Sequence, residues 1–285
     1  MKQGCKNFCC LLLILLFISC WEKKVQVGQA EVVPLTDTLL VETPQEPEVE
    51  IEQEPAPVRA DELFDDFIWN FASDERFQKR RVKFPIPFVS ASDTLLIERK
   101  DWLHEYLFAE QTTYTIMFDK ETDLEMEGDT SLESAEIEWI TLDDYIHKEY
   151  HFSKVRGAWM LDSISQNPYP PLDDVSGFID FYAHFATDSL YQLAHITNPI
   201  AFVTLDPDDE FSVLETTLGI SQWFAFRPEL PKDRLANINY GQANSSKSRR
   251  KILKVNGFQD GSSIILYFRK RSGEWEMYKF EDTSI

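Results

Sequence analysis

Cysteine is confined to the start of this 285-residue chain. The four cysteines are Cys5, Cys9, Cys10 and Cys20, and none follows Cys20. The rest of the chain therefore lacks disulfide bonds, thiolate nucleophiles and cysteine-ligated zinc sites.

Basic residues are scarce relative to acidic ones. The chain has 28 Lys and Arg against 49 Asp and Glu, which gives a formal net charge of -21. A field of this sign repels nucleic acid phosphates, so no nucleic-acid partner is predicted. Two local basic clusters, at 79–83 and 247–254, are interpreted as solvated faces or, alternatively, as anion-recognition loops.

The motifs of several enzyme classes are missing as well. The sequence has no glycine-rich phosphate loop, no nucleophile elbow and no dinucleotide-binding fingerprint. We therefore predict no catalytic residue, no cofactor and no metal site from the motifs. A hydrophobic fraction of 43% nevertheless predicts folded domains rather than a disordered chain.

The first residues of the chain form a secretory signal. Two lysines precede an apolar run from residue 8 to residue 18, which is short for a membrane-spanning helix. The run ends in LFISC at residues 16–20, which resembles the lipobox of bacterial lipoproteins. The resemblance implies a signal peptide at 1–19 and a lipid on Cys20. A transmembrane anchor is the alternative.

Residues 20–60 form an acidic tether rich in proline and glutamate. The segment contains five prolines and no apolar periodicity, so it cannot bury enough surface to offset the entropy of ordering. Prolines and like charges extend such a chain to about 3 Å per residue. Together with the signal, the tether predicts a lipid-anchored protein of the bacterial cell envelope, on the periplasmic side or at the outer-membrane surface.

One stretch of sequence occurs twice without a gap. Residues 64–88 read FDDFIWNFASDERFQKRRVKFPIPF, and residues 178–202 read FIDFYAHFATDSLYQLAHITNPIAF. The positions that are identical in the second copy are Phe64, Asp66, Phe67, Phe71, Ala72, Asp74, Gln78, Pro85, Ile86 and Phe88. The repetition predicts two versions of one domain, at 61–167 and 172–285.

Each copy begins with helical periodicity and continues with strand periodicity. Aromatic residues recur at helical spacing up to Phe71 and Phe185, and Asp74 and Asp188 suit the N-cap of a second short helix. Each copy ends in a hairpin with a G-x-W turn. The predicted strands are 114–118, 135–142, 148–155 and 158–164 in the first copy, and 200–204, 251–255, 263–269 and 275–280 in the second.

Helices followed by a mostly antiparallel sheet and a long hairpin resemble the nuclear-transport-factor-2-like fold. With the motif F-A-[ST]-D-x-x-[FY]-Q, DWLHEYLF at 101–108 and WFAFRPEL at 223–230, the chain is similar to uncharacterised Bacteroidetes lipoproteins with a domain of unknown function of this fold. The resemblance implies an α+β fold of two tandem cone-like repeats. In each repeat, N-terminal helices would pack on a curved, mostly antiparallel sheet. No catalytic motif accompanies the resemblance, so it implies architecture and address rather than an activity.

Polar and tryptophan positions near the repeated segments supply the candidate ligand-binding residues. In chain order the candidates are Asp74, Gln78, Trp102, Asp188, Gln192 and Trp223. A ligand inside either cone would contact three of them. Each type also has a structural alternative, because aspartates suit helix caps and glutamines suit hydrogen bonds to a neighbouring loop.

The histidines supply weaker candidates. His147 and His151 share a face of a helix or of a strand, but the H-E-x-x-H order of zinc proteases is not met, and a surface pair is the simpler interpretation. His104, His184 and His195 suit acid–base roles inside a cone. The two copies do not repeat these histidines.

Three functional hypotheses fit the sequence. The preferred one is a membrane-anchored envelope lipoprotein that acts as a ligand-binding or protein-interaction module, with an envelope protein or a small ligand as its partner. The second is a small-molecule enzyme of isomerase or hydrolase type that uses one cone cavity. The third is a structural envelope protein. Because the repeated positions carry no acid–base pair, the first hypothesis is favoured over an enzyme.

If Cys20 carries the lipid, radiolabelled palmitate will enter the wild-type protein in bacteria and will not enter Cys20→Ser. Cys10→Ser is the matched control, because residue 10 lies in the segment that is removed, and it should be labelled like the wild type. Equal labelling of Cys20→Ser and the wild type would rule out this attachment site.

Overall fold

The structure is a computed structural model that describes residues 56–284 with five short gaps. The gaps are 109–110, 145, 169–173, 246 and 259–260. The predicted signal peptide, Cys20 and the tether up to residue 55 lie outside the described residues. No helix in the part that is described is long and apolar enough to cross a membrane. The described residues belong to one compact unit, Glu52–Ile285.

The described residues contain five α-helices, which form two consecutive pairs and one single helix. They are α1 (Phe64–Ser73), α2 (Glu75–Arg80), α3 (Asp174–Thr187), α4 (Ser189–Ala194) and α5 (Ile220–Phe226), with single 3-10 turns at Arg59–Asp61, Glu121–Asp123 and Met126–Gly128. α1 forms because Phe67 and Phe71 bury the same side of the helix. It gives way to α2 at Asp74, where the backbone is extended. The predicted helix pairs are confirmed.

The described residues contain twelve strands. They are β1 (Ile86–Ser90), β2 (Thr94–Ile97), β3 (Thr113–Phe118), β4 (Ser134–Thr141), β5 (Ile146–Val155), β6 (Ala158–Pro168), β7 (Ile196–Asp206), β8 (Asp209–Leu218), β9 (Arg234–Asn239), β10 (Arg250–Gly257), β11 (Ser263–Arg271) and β12 (Glu274–Asp282). The eight strands predicted from sequence are confirmed. β1, β2, β8 and β9 were not predicted.

All twelve strands join one mixed sheet. Their order is β2-β1-β6-β5-β4-β9-β3-β10-β11-β12-β7-β8. Adjacent strands are antiparallel except at the parallel pairs β1/β6, β3/β9 and β12/β7. The predicted architecture of two tandem cones, each with its helices on its own mostly antiparallel sheet, is therefore wrong. One sheet runs through both predicted domains.

The two halves of the chain exchange a strand at the centre of the sheet. β3, from the first half, pairs with β10 of the second, and β9, from the second half, pairs with β4 of the first. β3 and β9 run parallel to each other and are in register at Thr115 and Asn237. Sequence periodicity missed this exchange because alternation specifies the face that a side chain occupies, not the strand to which its backbone bonds.

The two hydrophobic cores lie on opposite faces of the sheet. Successive side chains of a strand point to opposite faces. Along β3, Ile116 and Phe118 join the core that contains α1, whereas Met117 between them joins the core that contains α3. The central strands therefore contribute to both cores at once.

A shared sheet predicts a single unfolding transition. Phe71 and Phe185 are both 0% exposed, so Phe71→Ala and Phe185→Ala should each lower the free energy of unfolding by about 3–5 kcal/mol. Both substitutions should shift the same calorimetric transition, because unfolding either half removes a strand from the other. The control Leu95→Ala, at a side chain 59% exposed, should change it by less than about 0.5 kcal/mol. Two transitions that respond separately would contradict the shared sheet.

Candidate functional site

The two repeated aspartates cap helices. The Asp74 carboxylate accepts hydrogen bonds from the backbone N–H groups of Arg76 at 2.8 Å and Phe77 at 2.9 Å, at the start of α2. Asp188 accepts the equivalent bonds at the start of α4. The N–H of Phe77 is the main cause that lowers the pKa of Asp74. The capping interpretation is confirmed, and a role of these aspartates in ligand binding stays a prediction.

Gln78 ties the first helix pair to the segment that follows. Its Nε2 donates to the carbonyl oxygens of Phe71 at 2.9 Å and Glu105 at 2.8 Å. Its Oε1 accepts from Trp102 Nε1 at 3.1 Å and from the N–H of Glu105 at 2.8 Å. These four bonds use the full capacity of the amide. The alternative of a hydrogen bond to a neighbouring loop is confirmed, and Gln78 and Trp102 are brought together as predicted.

Gln192 occupies the same position in the second half. Its Nε2 donates to the carbonyl of Phe185 at 2.6 Å, and its Oε1 accepts from Trp223 Nε1 at 3.2 Å. Nη1 of Arg227 donates to the same oxygen at 2.8 Å. A cavity of about 360 Å³ opens beside Gln192 and Arg227. Gln192 lines this cavity, whereas Trp223 is fully buried.

Aromatic side chains occupy the space between the helices and the sheet. The Phe64 ring centroid lies 5.4 Å from that of Phe152 and 5.0 Å from that of Trp159. In the second half, Phe178 lies 5.3 Å from Phe268. Edge-to-face contacts of this kind are typical of a tightly packed hydrophobic core. A ligand would therefore have to be accommodated outside these aromatic clusters.

A cavity of about 580 Å³ opens near the centre of the sheet. β3 and β9 are in register at Thr115 and Asn237. Most of the residues that line the cavity precede Thr115 or Asn237 in the chain, at 111–113, 229–234 and 236. The lining is about half polar and includes four threonines, Gln111, and two acidic and two basic side chains from residues 229–234. The Thr115 side chain is 1% exposed, and its hydroxyl has no hydrogen-bond partner among the described residues.

Arg234 holds a fixed position at this cavity. Its guanidinium lies 4.3 Å from the centre of the Trp139 ring. The Gln111 carboxamide faces the guanidinium, and its oxygen accepts from Nε and Nη2 of Arg234, at 3.1 Å each, in the amide orientation that satisfies both groups. Stacking and a paired hydrogen bond therefore fix the planar cation before any ligand binds.

A row of polar side chains crosses five adjacent strands on one face of the sheet. Its members, each in register with the next, are Thr115 on β3, Asn237 on β9, Glu138 on β4, Glu149 on β5 and Ser165 on β6. Asn237 Nδ2 donates to Glu138 Oε2 at 2.7 Å. Ser165 Oγ donates to Glu149 Oε2 at 2.6 Å. Burial raises the pKa of Glu138, and the bond from Asn237 opposes this rise.

A second polar row lies beside the first. Asn239, Glu136 and His151 are in register on β9, β4 and β5. Asn239 Nδ2 donates to Glu136 Oε2 at 3.1 Å, and His151 Nδ1 lies 2.9 Å from Glu136 Oε1. The contact between the ring and the carboxylate is the main cause that raises the pKa of His151 and lowers the pKa of Glu136. The pair therefore favours the imidazolium–carboxylate form.

His147 lies on the same face as His151, as the sequence predicted for a strand. His151 is engaged by Glu136. His147 instead lies with Glu138 and Glu149, and one potential ligand atom from each of these three residues falls within 4.8 Å of the others. These are the residues that could hold a metal ion.

The remaining histidine candidates lie against tyrosines. The ring centroid of His104 is 4.6 Å from that of Tyr106. His195 stacks on Tyr191 at 3.9 Å, and the exposed His184 lies 5.5 Å from the same ring. An acid–base role for these three histidines stays a prediction.

Each of the two basic clusters contains one side chain that is buried and paired with an aspartate. Arg81 Nη2 lies 2.9 Å from Asp61 Oδ2, and Lys251 Nζ lies 2.7 Å from Asp119 Oδ1, with all four side chains buried. Burial lowers the pKa of Lys251, and the bond to Asp119 opposes this change. Part of each cluster is therefore structural.

Sequence reasoning missed Glu136, Glu138, Asn237 and Asn239. The sequence did contain a pattern that could have identified the two glutamates, since the alternation A-E-I-E in the predicted β4 places both on one face of the sheet. No sequence pattern could have identified the two asparagines, because β9 was not predicted and its partner strand β4 belongs to the other half of the chain.

Comparison with known proteins assigns the chain to a family. Residues 44–282 match the model of a family described as a domain of unknown function, DUF4348. The chain belongs to the DUF4348 family. No curated protein matches it.

The DUF4348 chain is also similar to a solved structure. This is the crystal structure, at 2.15 Å resolution, of an NTF2-like protein from Bacteroides fragilis NCTC 9343. The two share 50% sequence identity and a TM-score of 0.76 over 81% of this chain and 100% of that one. The predicted likeness to an NTF2-like fold and to a domain of unknown function is confirmed. Such a fold is typical of binding or enzyme-like modules and assigns no specific function.

A further polar cluster of this family member lies on the other face of β3. Asp65, in the first turn of α1, accepts hydrogen bonds from the hydroxyl groups of Tyr114, at 3.2 Å, and Tyr240. Burial raises the pKa of Asp65 to about 6, with a smaller contribution from Glu127, while Tyr240 and Tyr114 oppose the rise. Asn256 Nδ2 donates to the Tyr114 hydroxyl at 3.1 Å.

The raised pKa of Asp65 predicts a pH-dependent loss of stability. Folding takes up a proton between the ordinary pKa of 3.8 and about 6, so the contribution to stability is present below this window and is lost as the pH rises through it. Asp65→Asn keeps an acceptor oxygen and cannot ionise. Between about pH 4 and pH 7, its free energy of unfolding should therefore rise relative to that of the wild type by about 1–3 kcal/mol.

Urea unfolding at the two pH values measures this difference. The neighbouring Asp66→Asn is the matched control, because residue 66 is exposed, and its difference from the wild type should not change with pH. A difference for Asp65→Asn that is the same at both pH values would show that Asp65 does not titrate in this window.

Proposed function

We propose that this DUF4348 protein is a lipid-anchored binding module of the bacterial cell envelope, which takes a small polar ligand in the cavity between β3 and β9. A lipid on Cys20 would anchor the protein in the membrane, and residues 20–60 would form the tether. The two halves, 61–167 and 172–285, would together form the ligand-binding domain. The lipobox-like sequence and the acidic tether support the anchor. The NTF2-like relative supports a binding or enzyme-like module.

The Thr115 hydroxyl is the observation that carries the proposal. A buried hydroxyl without a hydrogen-bond partner costs about 1–3 kcal/mol of stability. Thr115 is such a group, and it lines the cavity. The hydroxyl is buried, so a polar atom of a ligand in the cavity would satisfy it once the Thr115 side chain rotates towards the cavity, and binding would then recover a hydrogen bond that folding leaves unmade.

Arg234 supplies the recognition of an anion. A guanidinium has five N–H groups, and Gln111 engages two of those on Arg234. The other three lie on Nη1 and Nη2, where two parallel bonds fit a carboxylate. Because Trp139 and Gln111 already fix the guanidinium, little conformational entropy is lost when a carboxylate binds.

The remaining lining indicates a ligand that carries both charges. Glu229 and Asp233 line the same cavity as Lys232 and Arg234, and four threonines contribute to the lining as well. A volume of about 580 Å³ falls in the usual range for small-molecule sites. A free amino acid or a short peptide, with an ammonium and a carboxylate on one small skeleton, fits this set of groups.

The test uses the mature chain, residues 20–285, with Cys20→Ser so that it purifies without lipid. The twenty amino acids and a set of dipeptides are screened by thermal shift, and hits are measured by calorimetry together with their C-terminal amides. Thr115→Val, which is isosteric, should weaken binding about 5–30-fold. Arg234→Gln should weaken it at least tenfold, and the amides should bind more weakly than the acids.

Arg269→Gln is the matched control for the arginine, because Arg269 pairs with Glu276 on the β11–β12 hairpin. It should bind like the parent chain. A ligand that binds Thr115→Val and Arg234→Gln as tightly as the parent would place binding elsewhere. Conversion of a screened compound by the folded protein would favour the alternative of an isomerase or hydrolase.

A further inference from the structure

We infer that Glu138, His147 and Glu149 form a binding site for a divalent transition-metal cation of the Zn²⁺ class. The three residues lie on β4 and β5, on the sheet face that carries the two polar rows. The inference does not depend on the proposed amino-acid cavity, because none of the three lines that cavity.

Strand geometry brings the three side chains together. Glu138 and Glu149 are direct register partners across β4 and β5. His147 precedes Glu149 by two residues and so lies on the same face. The potential ligand atoms lie within 4.8 Å of one another, and His147 Nε2 is 3.7 Å from Glu149 Oε1. Zinc ligands lie about 2.0–2.2 Å from the ion, so these side chains would have to rotate towards one another to share a cation.

Neighbouring side chains already orient both carboxylates. Glu138 accepts from Asn237 Nδ2 at 2.7 Å and from Asn239 Nδ2 at 3.2 Å. Ser165 donates to Glu149 Oε2 at 2.6 Å, which leaves Oε1 directed towards the imidazole. Hydrogen bonds of this kind, from side chains outside the ligand set, are typical of metal-ligating carboxylates.

A cation would compensate the negative charge of the two glutamates. Two carboxylates directly opposite each other on adjacent strands repel. Glu138 is only 7% exposed, so water screens this repulsion poorly, and a buried charge needs a partner. A divalent cation between Glu138 and Glu149 would neutralise both.

Asn237, the register partner of Glu138, carries an unsatisfied buried atom beside the three residues. Its side chain is 1% exposed and is directed at Glu138, and its Oδ1 has no hydrogen-bond partner among the described residues. Buried amide oxygens are normally satisfied. A water molecule beside the carboxamide would satisfy this oxygen.

The ligand set determines the class of metal. One imidazole and two carboxylates suit Zn²⁺, Co²⁺ and Mn²⁺, whereas Ca²⁺ and Mg²⁺ take oxygen ligands and soft cations take thiolates. Three protein ligands leave a further position open, as in zinc sites that bind water or a second ligand.

Metal binding is tested on the mature chain, residues 20–285, with Cys20→Ser after treatment with a chelator. Calorimetry with ZnCl₂ should give one ion per chain, and Co²⁺ should give a visible absorption band. His147→Gln and Glu149→Gln should each weaken Zn²⁺ binding at least tenfold, and Ser165→Ala should weaken it about tenfold through the orientation of Glu149. His184→Gln and Glu215→Gln, at exposed positions, are matched controls and should bind like the parent.

A measurement on the unsubstituted site guards against misfolded variants. Zn²⁺ should protect His147, and not His184, from modification by diethyl pyrocarbonate, as read by mass spectrometry. The inference is overturned by the absence of one-to-one binding, by unchanged binding in His147→Gln and Glu149→Gln, or by unprotected His147. Tighter binding of Ca²⁺ or Mg²⁺ than of Zn²⁺ would overturn the class of metal.

Discussion

The parallel contact between β3 and β9 is the constraint on which the rest of the structure depends. A strand inside a sheet has to hydrogen-bond on both sides, since buried backbone groups without partners are costly. β3 finds one of its partners in β10 and β9 finds one in β4, so each half of the chain completes the sheet of the other. Neither half contains all the strands that its own sheet needs. The same exchange places the two aromatic cores on opposite faces and sets a cavity near the point where β3 and β9 meet.

The polar rows follow from this exchange. Glu136 and Glu138 belong to the first half, and the asparagines that hydrogen-bond them, Asn237 and Asn239, belong to the second. β9 carries these amides into the first half because its backbone pairs with β4 there. The carboxylates are thus held by residues about a hundred positions away in the chain. A buried glutamate with a raised pKa is a consequence of that assembly, since the desolvation comes from both halves.

The repeated residues serve folding, whereas the two proposed sites consist mostly of unrepeated residues. Asp74 and Asp188 cap equivalent helices, and Gln78 and Gln192 bond equivalent carbonyls and tryptophans, so repetition records what each half needs in order to fold. The residues of the polar rows and the cavity lie mostly at the junction of the halves, where each contributes once. A site at a junction has no reason to be repeated.

The sequence by itself determined the features that depend on local interactions. Helical spacing located α1 and α3, the side chains of Asp74 and Asp188 identified the caps, and alternation located eight of the strands. The signal-like sequence and the acidic tether predicted a location in the bacterial cell envelope. The tertiary structure alone decided that the strands form one sheet, that β9 lies between β4 and β3, and that Glu138 meets Asn237 and His147. The physical reason is that periodicity reports which face a side chain occupies, whereas strand pairing and burial depend on backbone partners distant in the chain.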